Sequence, residues 1–247
     1  MSEEKYSPMM EHYRSVKKQY PDALLFYRLG DFYELFFDDA RTVSQELDLV
    51  LTGKSAGVKD RVPMCGIPHH AANNYLQRLV QRGYKIAICE QMQDPKEAVG
   101  LVERDVVRVI TPGTVMTEIS DEKTSVYLAA IEDSHYGYSM ALSEISTGDT
   151  FVLHVDHSLS ALMQSLLQNN VREVVLPKNF SQNIIKSLRE IQIVISYDDD
   201  DTIKETYLPL FETIKQSYDR KACGRMLSYL EETQKHMIGH LSFCRIE

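Results

Sequence analysis

One octapeptide near the start, Leu29-Gly30-Asp31-Phe32-Tyr33-Glu34-Leu35-Phe36, constrains this chain more than any other stretch. Residues 23–29 are a short apolar and aromatic run of strand length. Gly30 marks a turn, because glycine adopts backbone angles that other residues avoid. Asp31 then suits a helix N-cap, with Phe36, Ala40, Val43 and Leu47 repeating at helical spacing behind it. The segment predicts strand, glycine turn and helix, with Phe32 and Glu34 at the exposed front of that helix.

Two readings of this pair compete. In the first, Phe32 opens the apolar stripe and Glu34 is a first-turn acid favoured by the helix dipole. In the second, Phe32 is a wedge set against a nucleic-acid base and Glu34 reads the edge of that base. Apolar wedges of this kind kink a duplex from its minor groove.

At 247 residues the chain is long for one core, which favours two domains. Its 43% hydrophobic and 26% charged residues are those of an ordinary globular protein. No apolar run has the length of a membrane span and the first residues lack a signal-peptide core, so the reading is cytoplasmic, with no membrane partner. Cys65, Cys89, Cys223 and Cys244 are scattered and read as reduced thiols. The net charge of −9 is unevenly shared: residues 1–115 carry 15 Lys+Arg against 16 Asp+Glu, and residues 116–247 carry 12 against 20. A near-neutral first half leaves room for a local basic face, whereas the acidic second half suits a scaffold or protein-contact role. Neither half has the positive excess of a self-sufficient DNA-binding domain.

Ser7-Pro8 opens a helix with Met9, Tyr13, Val16 and Tyr20 on one face, and Pro21 ends it. A strand is expected at 47–52, a cationic loop at 53–61 and a rigid proline turn at 63–68. A helix at 71–81, with Tyr75, Leu76 and Leu79 inward, and strands at 84–89 and 106–110 complete a mixed α/β domain over 1–115. Residues 116–125 read as a linker. From 126 the pattern changes to three alternating segments (126–132, 138–145, 150–155), an antiparallel meander. Helix 158–168, strand 173–176, helix 181–188, strand 192–195 and a late helix near 221–235 follow. That order resembles an RNase-H-like α/β layer over 126–247.

Three constellations invite chemistry and are set aside. Thr52-Gly53-Lys54-Ser55 mimics the end of a phosphate loop, but the position needing its first glycine is Asp48. His236, His240 and Cys244 are spaced four apart, yet Gly239 interrupts the helix and no fourth ligand follows. Glu132, Asp133 and Glu144 lie on neighbouring expected strands, where two-metal nucleases hold carboxylates, but fold likeness alone does not carry chemistry. No catalytic residue, metal ligand or cofactor is assigned in this chain.

Several segments together resemble the MutS family of DNA mismatch-repair proteins. They are Ser7-Pro8-Met9-Met10, residues 25–36 around Gly-Asp-Phe-Tyr-Glu, and Pro63-Met64-Cys65-Gly66-Ile67-Pro68-His69-His70. Ile88-Cys89-Glu90-Gln91, residues 108–114 and Ser143-Glu144-Ile145-Ser146-Thr147-Gly148 add to them. The resemblance implies a mismatch-recognition domain followed by a connector domain. It makes Phe32 the aromatic that stacks on a mispaired base and Glu34 the acid that hydrogen-bonds it. Lys54, Met64 and His70 become backbone contacts on the DNA-facing surface. Base–base mismatches and small insertion/deletion loops in duplex DNA are the implied target, with a MutL-type repair factor as partner of the connector. In the family, ATP/ADP, Mg and homodimerisation belong to later domains, so this chain is expected to be a monomeric part without ATPase activity. The competing readings are an interaction scaffold and a metal-dependent nuclease.

Overall fold

The computed structural model describes residues 5–93, 100, 102–115, 125–211, 213–235 and 241–245. The chain divides into two compact units, Met1–Ile110 and Thr111–Glu247. The expected linker at 116–125 lies, but for its last residue, outside the described residues.

The first unit runs α1 (Pro8–Gln19), β1 (Ala23–Leu29), β2 (Phe32–Phe36), α2 (Phe37–Leu47), β3 (Thr52–Lys54) and β4 (Val62–Pro68). A 3-10 turn (His69–Ala71), α3 (Ala72–Gln81), β5 (Lys85–Gln91) and β6 (Arg104–Ile110) complete it. Its six strands are ordered β3-β4-β2-β1-β5-β6, with β1 and β5 parallel and the other pairs antiparallel.

Alternation along the strands divides the core. Leu25, Tyr27, Phe36, Val62, Ala87 and Cys89 pack with Met10, Tyr13 and Val16 of α1. The buried Leu24, Phe26, Leu35, Cys65, Ile67, Ile86 and Ile88 alternate with them, towards α2 and α3. In α1 it is Met10, not Met9, that is fully buried, while Met9 and Tyr20 are half-buried.

The structure corrects three expectations here. Phe32 and Glu34 are not on a helix: Leu29 pairs with Phe32, so Gly30 and Asp31 form the two-residue loop of a β-hairpin. Gly30 has φ +58°, as a tight hairpin turn requires. The aromatic, bulky Phe-Tyr-Glu-Leu-Phe run continues as strand, and the helix starts only at Phe37. The proline turn at 63–68 is β4, with Pro63 and Pro68 close to its ends, where missing donors are tolerated. The strand at 47–52 is replaced by the end of α2, closed by Asp48 in the left-handed conformation (φ 55°), and by the short β3.

The second unit holds the expected meander as β7 (Tyr127–Ser134), β8 (Gly137–Ser143) and β9 (Asp149–Val155). Then come α4 (Leu159–Gln168), β10 (Val171–Leu176), α5 (Gln182–Glu190), β11 (Val194–Tyr197), a 3-10 segment (Glu205–Phe211), α6 (Ser217–Gln234) and β12 (Ser242–Arg245). The sheet order is β11-β10-β7-β8-β9-β12, with β10 parallel to β7 and β11, and β12 parallel to β9. One face packs Leu128, Ala130, Ala141 and Val175 against α6 through Met226, Leu227 and Leu230. The other packs Ala129, Ile131, Met140 and Val174 against Leu162 and Leu166 of α4 and Ile184 and Leu188 of α5. The result is the three-layered, RNase-H-like unit expected from the element order. α6 approaches its neighbours closely: a Cβ at Gly224 would lie 2.1 Å from the Asp201 carbonyl oxygen.

Candidate nucleic-acid interface

Residues two apart on a strand share a face. Phe32, Glu34 and Phe36 therefore point one way from β2, and Tyr33 and Leu35 the other. Phe36 is fully buried under α1 through Tyr13, whose ring meets it edge-on at 4.9 Å. Further along the same face the cover ends. Phe32 is 46% exposed, and Glu34 is half-buried between them.

The neighbouring strands leave room around this pair. Glu34 lies opposite Gly66 and Phe32 opposite Pro68 on β4. Gly66 has no side chain to raise between them; the Phe32 ring lies 3.7 Å from where a Cβ would stand. Lys54 on β3 pairs with Val62 and so shares this face. Its ammonium forms an ion pair with the Glu34 carboxylate and sits 5.7 Å from the Phe36 ring centroid.

Beneath the exposed pair the hairpin is pinned. The Tyr33 hydroxyl donates to the Glu90 carboxylate on β5, and the Arg28 guanidinium lies over the Tyr33 ring at 5.6 Å. Burial and the bond to Glu90 push the Tyr33 phenol well above its ordinary range, so it stays a donor. His69 closes the turn end: its N–H donates to the Asp31 carbonyl at 2.8 Å, and its ring packs on Tyr33. At the other end Asp39 accepts from the Leu25 amide at 2.9 Å and pairs with Lys17 at 2.9 Å. On the same face as Glu34, His12 Nδ1 meets the Tyr27 hydroxyl at 2.8 Å. Burial and the nearby Arg104 hold His12 below its usual pKa, and burial raises Tyr27 to about 12.

Of the other named residues, Met64 stands opposite Phe36 on β4 and so shares the face of Glu34. Met64 is half-buried against the core, with its sulfur 3.8 Å from the Thr52 hydroxyl, and His70 is exposed on the 3-10 turn. Thr52-Gly53-Lys54 forms an edge strand rather than the start of a loop. Glu132 is paired with Arg225 at 2.7 Å and Asp133 with His157 at 2.8 Å. Glu144 instead folds into its own turn, accepting from the Ser146 and Thr147 amides at 3.1 and 2.8 Å. The nuclease reading needed these three carboxylates together, and they are apart. His236 and His240 lie outside the described residues, as does the Cys244 side chain. Sequence reasoning named Lys54 and Glu34 separately and missed their pairing. The signal lay in β-alternation, which puts both on one face once β3 and β4 are read as strands.

Comparison with known proteins gives a consistent result. The family model for MutS domain I matches residues 7–119, and that for MutS domain II matches residues 126–242. Similar relatives include the DNA mismatch repair protein MutS of Bacillus mycoides (strain KBAB4), 42% identical over 239 residues. Those of Bacillus cereus (strain G9842) and Bacillus thuringiensis (strain Al Hakam) are 42% and 41% identical. Each alignment covers 96% of this chain, which spans about a quarter (27%) of each relative's length.

Proposed function

Because this chain belongs to the MutS family of DNA mismatch-repair proteins, we propose that its first unit reads mismatched duplex DNA through Phe32 and Glu34. The observation that carries the reading is the 46% exposure of Phe32, next to a carboxylate on the same sheet face. A large aromatic ring left outside a core with space for its neighbours Tyr33, Leu35 and Phe36 is available as a wedge.

The physics is discrimination by deformability. A mispaired step costs less to unstack and kink than a Watson–Crick step. A protein that demands a kink therefore selects mismatches and small loops without reading sequence. An intact pair resists the wedge by about a few kcal/mol of stacking and pairing energy. Glu34 supplies a polar contact to the displaced base. Lys54, Met64 and His70 are the further candidates for contacts with the DNA backbone.

The test is a titration of a G·T heteroduplex and its matched control with the wild-type chain and Phe32→Ala. Phe32→Ala should bring heteroduplex binding towards the matched level. A wild-type affinity ratio in that variant would assign Phe32 a packing role only.

A second role falls to the other unit. Its acidic composition and the exposed Leu159 and Leu167 on α4 favour recruitment of a MutL-type repair factor over contact with phosphates. Nucleotide and Mg chemistry and homodimerisation belong, on the same resemblance, to the length of the relatives that this chain does not span.

A further inference from the structure

We infer that Lys54 is the counter-ion that Glu34 must leave before it engages a base, which makes Lys54 a specificity-determining residue. The inference rests on the reading of Phe32 and Glu34 given above and extends it to a third side chain. Lys54 reaches Glu34 from β3, across β4, on the face that carries Phe32. Gly66 on β4 stands directly opposite Glu34 and offers no side chain of its own to obstruct the pair. The carboxylate is 17% and the lysine side chain 31% exposed, so the pair is reachable from solvent yet partly withdrawn from it.

A lysine serving only as a phosphate contact has no need of a carboxylate partner. Here the pairing gives Glu34 two alternatives. Against intact duplex it remains with Lys54, and the phosphates meet an almost neutral pair. Against a mismatch it exchanges Lys54 for the displaced base. The ion pair thus competes with the base for one carboxylate. Removing Lys54 abolishes the competitor and leaves an uncompensated negative charge, which weakens binding to intact DNA most.

The experiment measures affinities of the chain for a G·T heteroduplex and its matched control at one fixed salt concentration. The variants are Lys54→Met, Lys54→Arg, Glu34→Gln and Lys54→Met combined with Glu34→Gln. Lys54→Met should raise the heteroduplex-to-homoduplex ratio by roughly two- to five-fold, the range of a partly exposed ion pair. Lys54→Arg should keep the wild-type ratio. In the Glu34→Gln background, Lys54→Met should leave the ratio unchanged. An equal loss on both duplexes, with or without Glu34, would reduce Lys54 to a phosphate contact and overturn the inference. Phe32→Ala, measured alongside, reports separately on the underlying reading. Its failure to lower the ratio sinks the wedge even if Lys54 and Glu34 prove coupled. A chain without any heteroduplex preference overturns both.

Discussion

The Tyr229 hydroxyl donates to Oε1 of Glu173 at 2.6 Å, joining α6 to the inward-facing carboxylate of β10. Ser196 donates to the same oxygen, and the Gly113 amide donates to Oε2 at 3.0 Å. Glu173 is wholly buried. Burial and this carboxylate push the Tyr229 phenol well above its ordinary range, so it remains a donor. Tyr229→Phe should cost roughly 1.5–3 kcal/mol, as expected for a bond to a charged group. Denaturant unfolding checks this, and an unchanged midpoint would show the carboxylate to be satisfied without Tyr229.

The same node sets the start of the second unit. Thr111 and Thr114 bond each other at 2.8 Å, and Gly113 between them contacts Glu173. A piece spanning 111–247 should therefore resist denaturant better than one spanning 126–247, by about 1–3 kcal/mol for the abandoned carboxylate. Neither should bind duplex DNA at physiological salt, because a net negative unit is repelled by phosphates. Salt-sensitive DNA binding by either piece would count against the scaffold role.

Glu144 gives a pH-dependent expectation. Burial alone would raise its carboxyl, but bonds from Ser146 and Thr147 outweigh burial and hold it below the ordinary 4.5. A depressed folded-state pKa adds stability above 4.5, and this is lost as pH falls through the lower folded value. Glu144→Gln should be destabilised by about 1–3 kcal/mol at pH 7, with the gap to wild type closing below pH 4.5. A constant gap from pH 7 to pH 3 would refute this account of the turn.

Glu34 should be separable from Phe32 in DNA binding. Glu34→Gln removes the partner of Lys54 and leaves that ammonium free to meet phosphates while keeping a polar group, so affinity for matched DNA should rise and discrimination shrink. Glu34→Ala should discriminate less well still. Phe32→Ala should lose roughly 1–3 kcal/mol of stacking on the heteroduplex alone. Identical affinity ratios in wild type and both Glu34 variants would remove Glu34 from the reading.

Gly224→Ala tests the packing of α6. The added Cβ would meet backbone at 2.1 Å, which a side-chain rotation cannot relieve. A loss of about 1–3 kcal/mol is expected. Wild-type stability in that variant would mean that the 201 segment moves aside freely.

The second unit was legible because its strands alternate cleanly and its turns carry the usual residues; Ser158, foreseen at the start of α4, accepts from the Ala161 amide. The first unit was harder. Phe36, Ala40, Val43 and Leu47 do repeat at helical spacing, but Phe36 owes its burial to β2 and only the last three to α2. Spacing cannot register that boundary, since a strand residue and a helix residue both face a core there. Prolines hid β4 in the same way, because local propensity counts their cost and not the pairing with β2 and β3. Phe32 and Glu34 still share a face, because a two-residue interval has meaning on a strand as well as at the front of a helix. The partner of Glu34 was out of reach, as Lys54 is brought to it only by the sheet.

Arg225, almost fully buried in α6, holds the Glu132 carboxylate and donates to the Asp198 carbonyl at 2.9 Å, with Asp201 3.9 Å away. With Lys221 also 3.8 Å from both Glu132 and Asp201, the counter-charge for this acidic corner is covalently attached to the chain. It cannot be diluted out, exchanged or stripped by a chelator, so the corner's charge balance is inherited with the sequence rather than drawn from the surrounding ions.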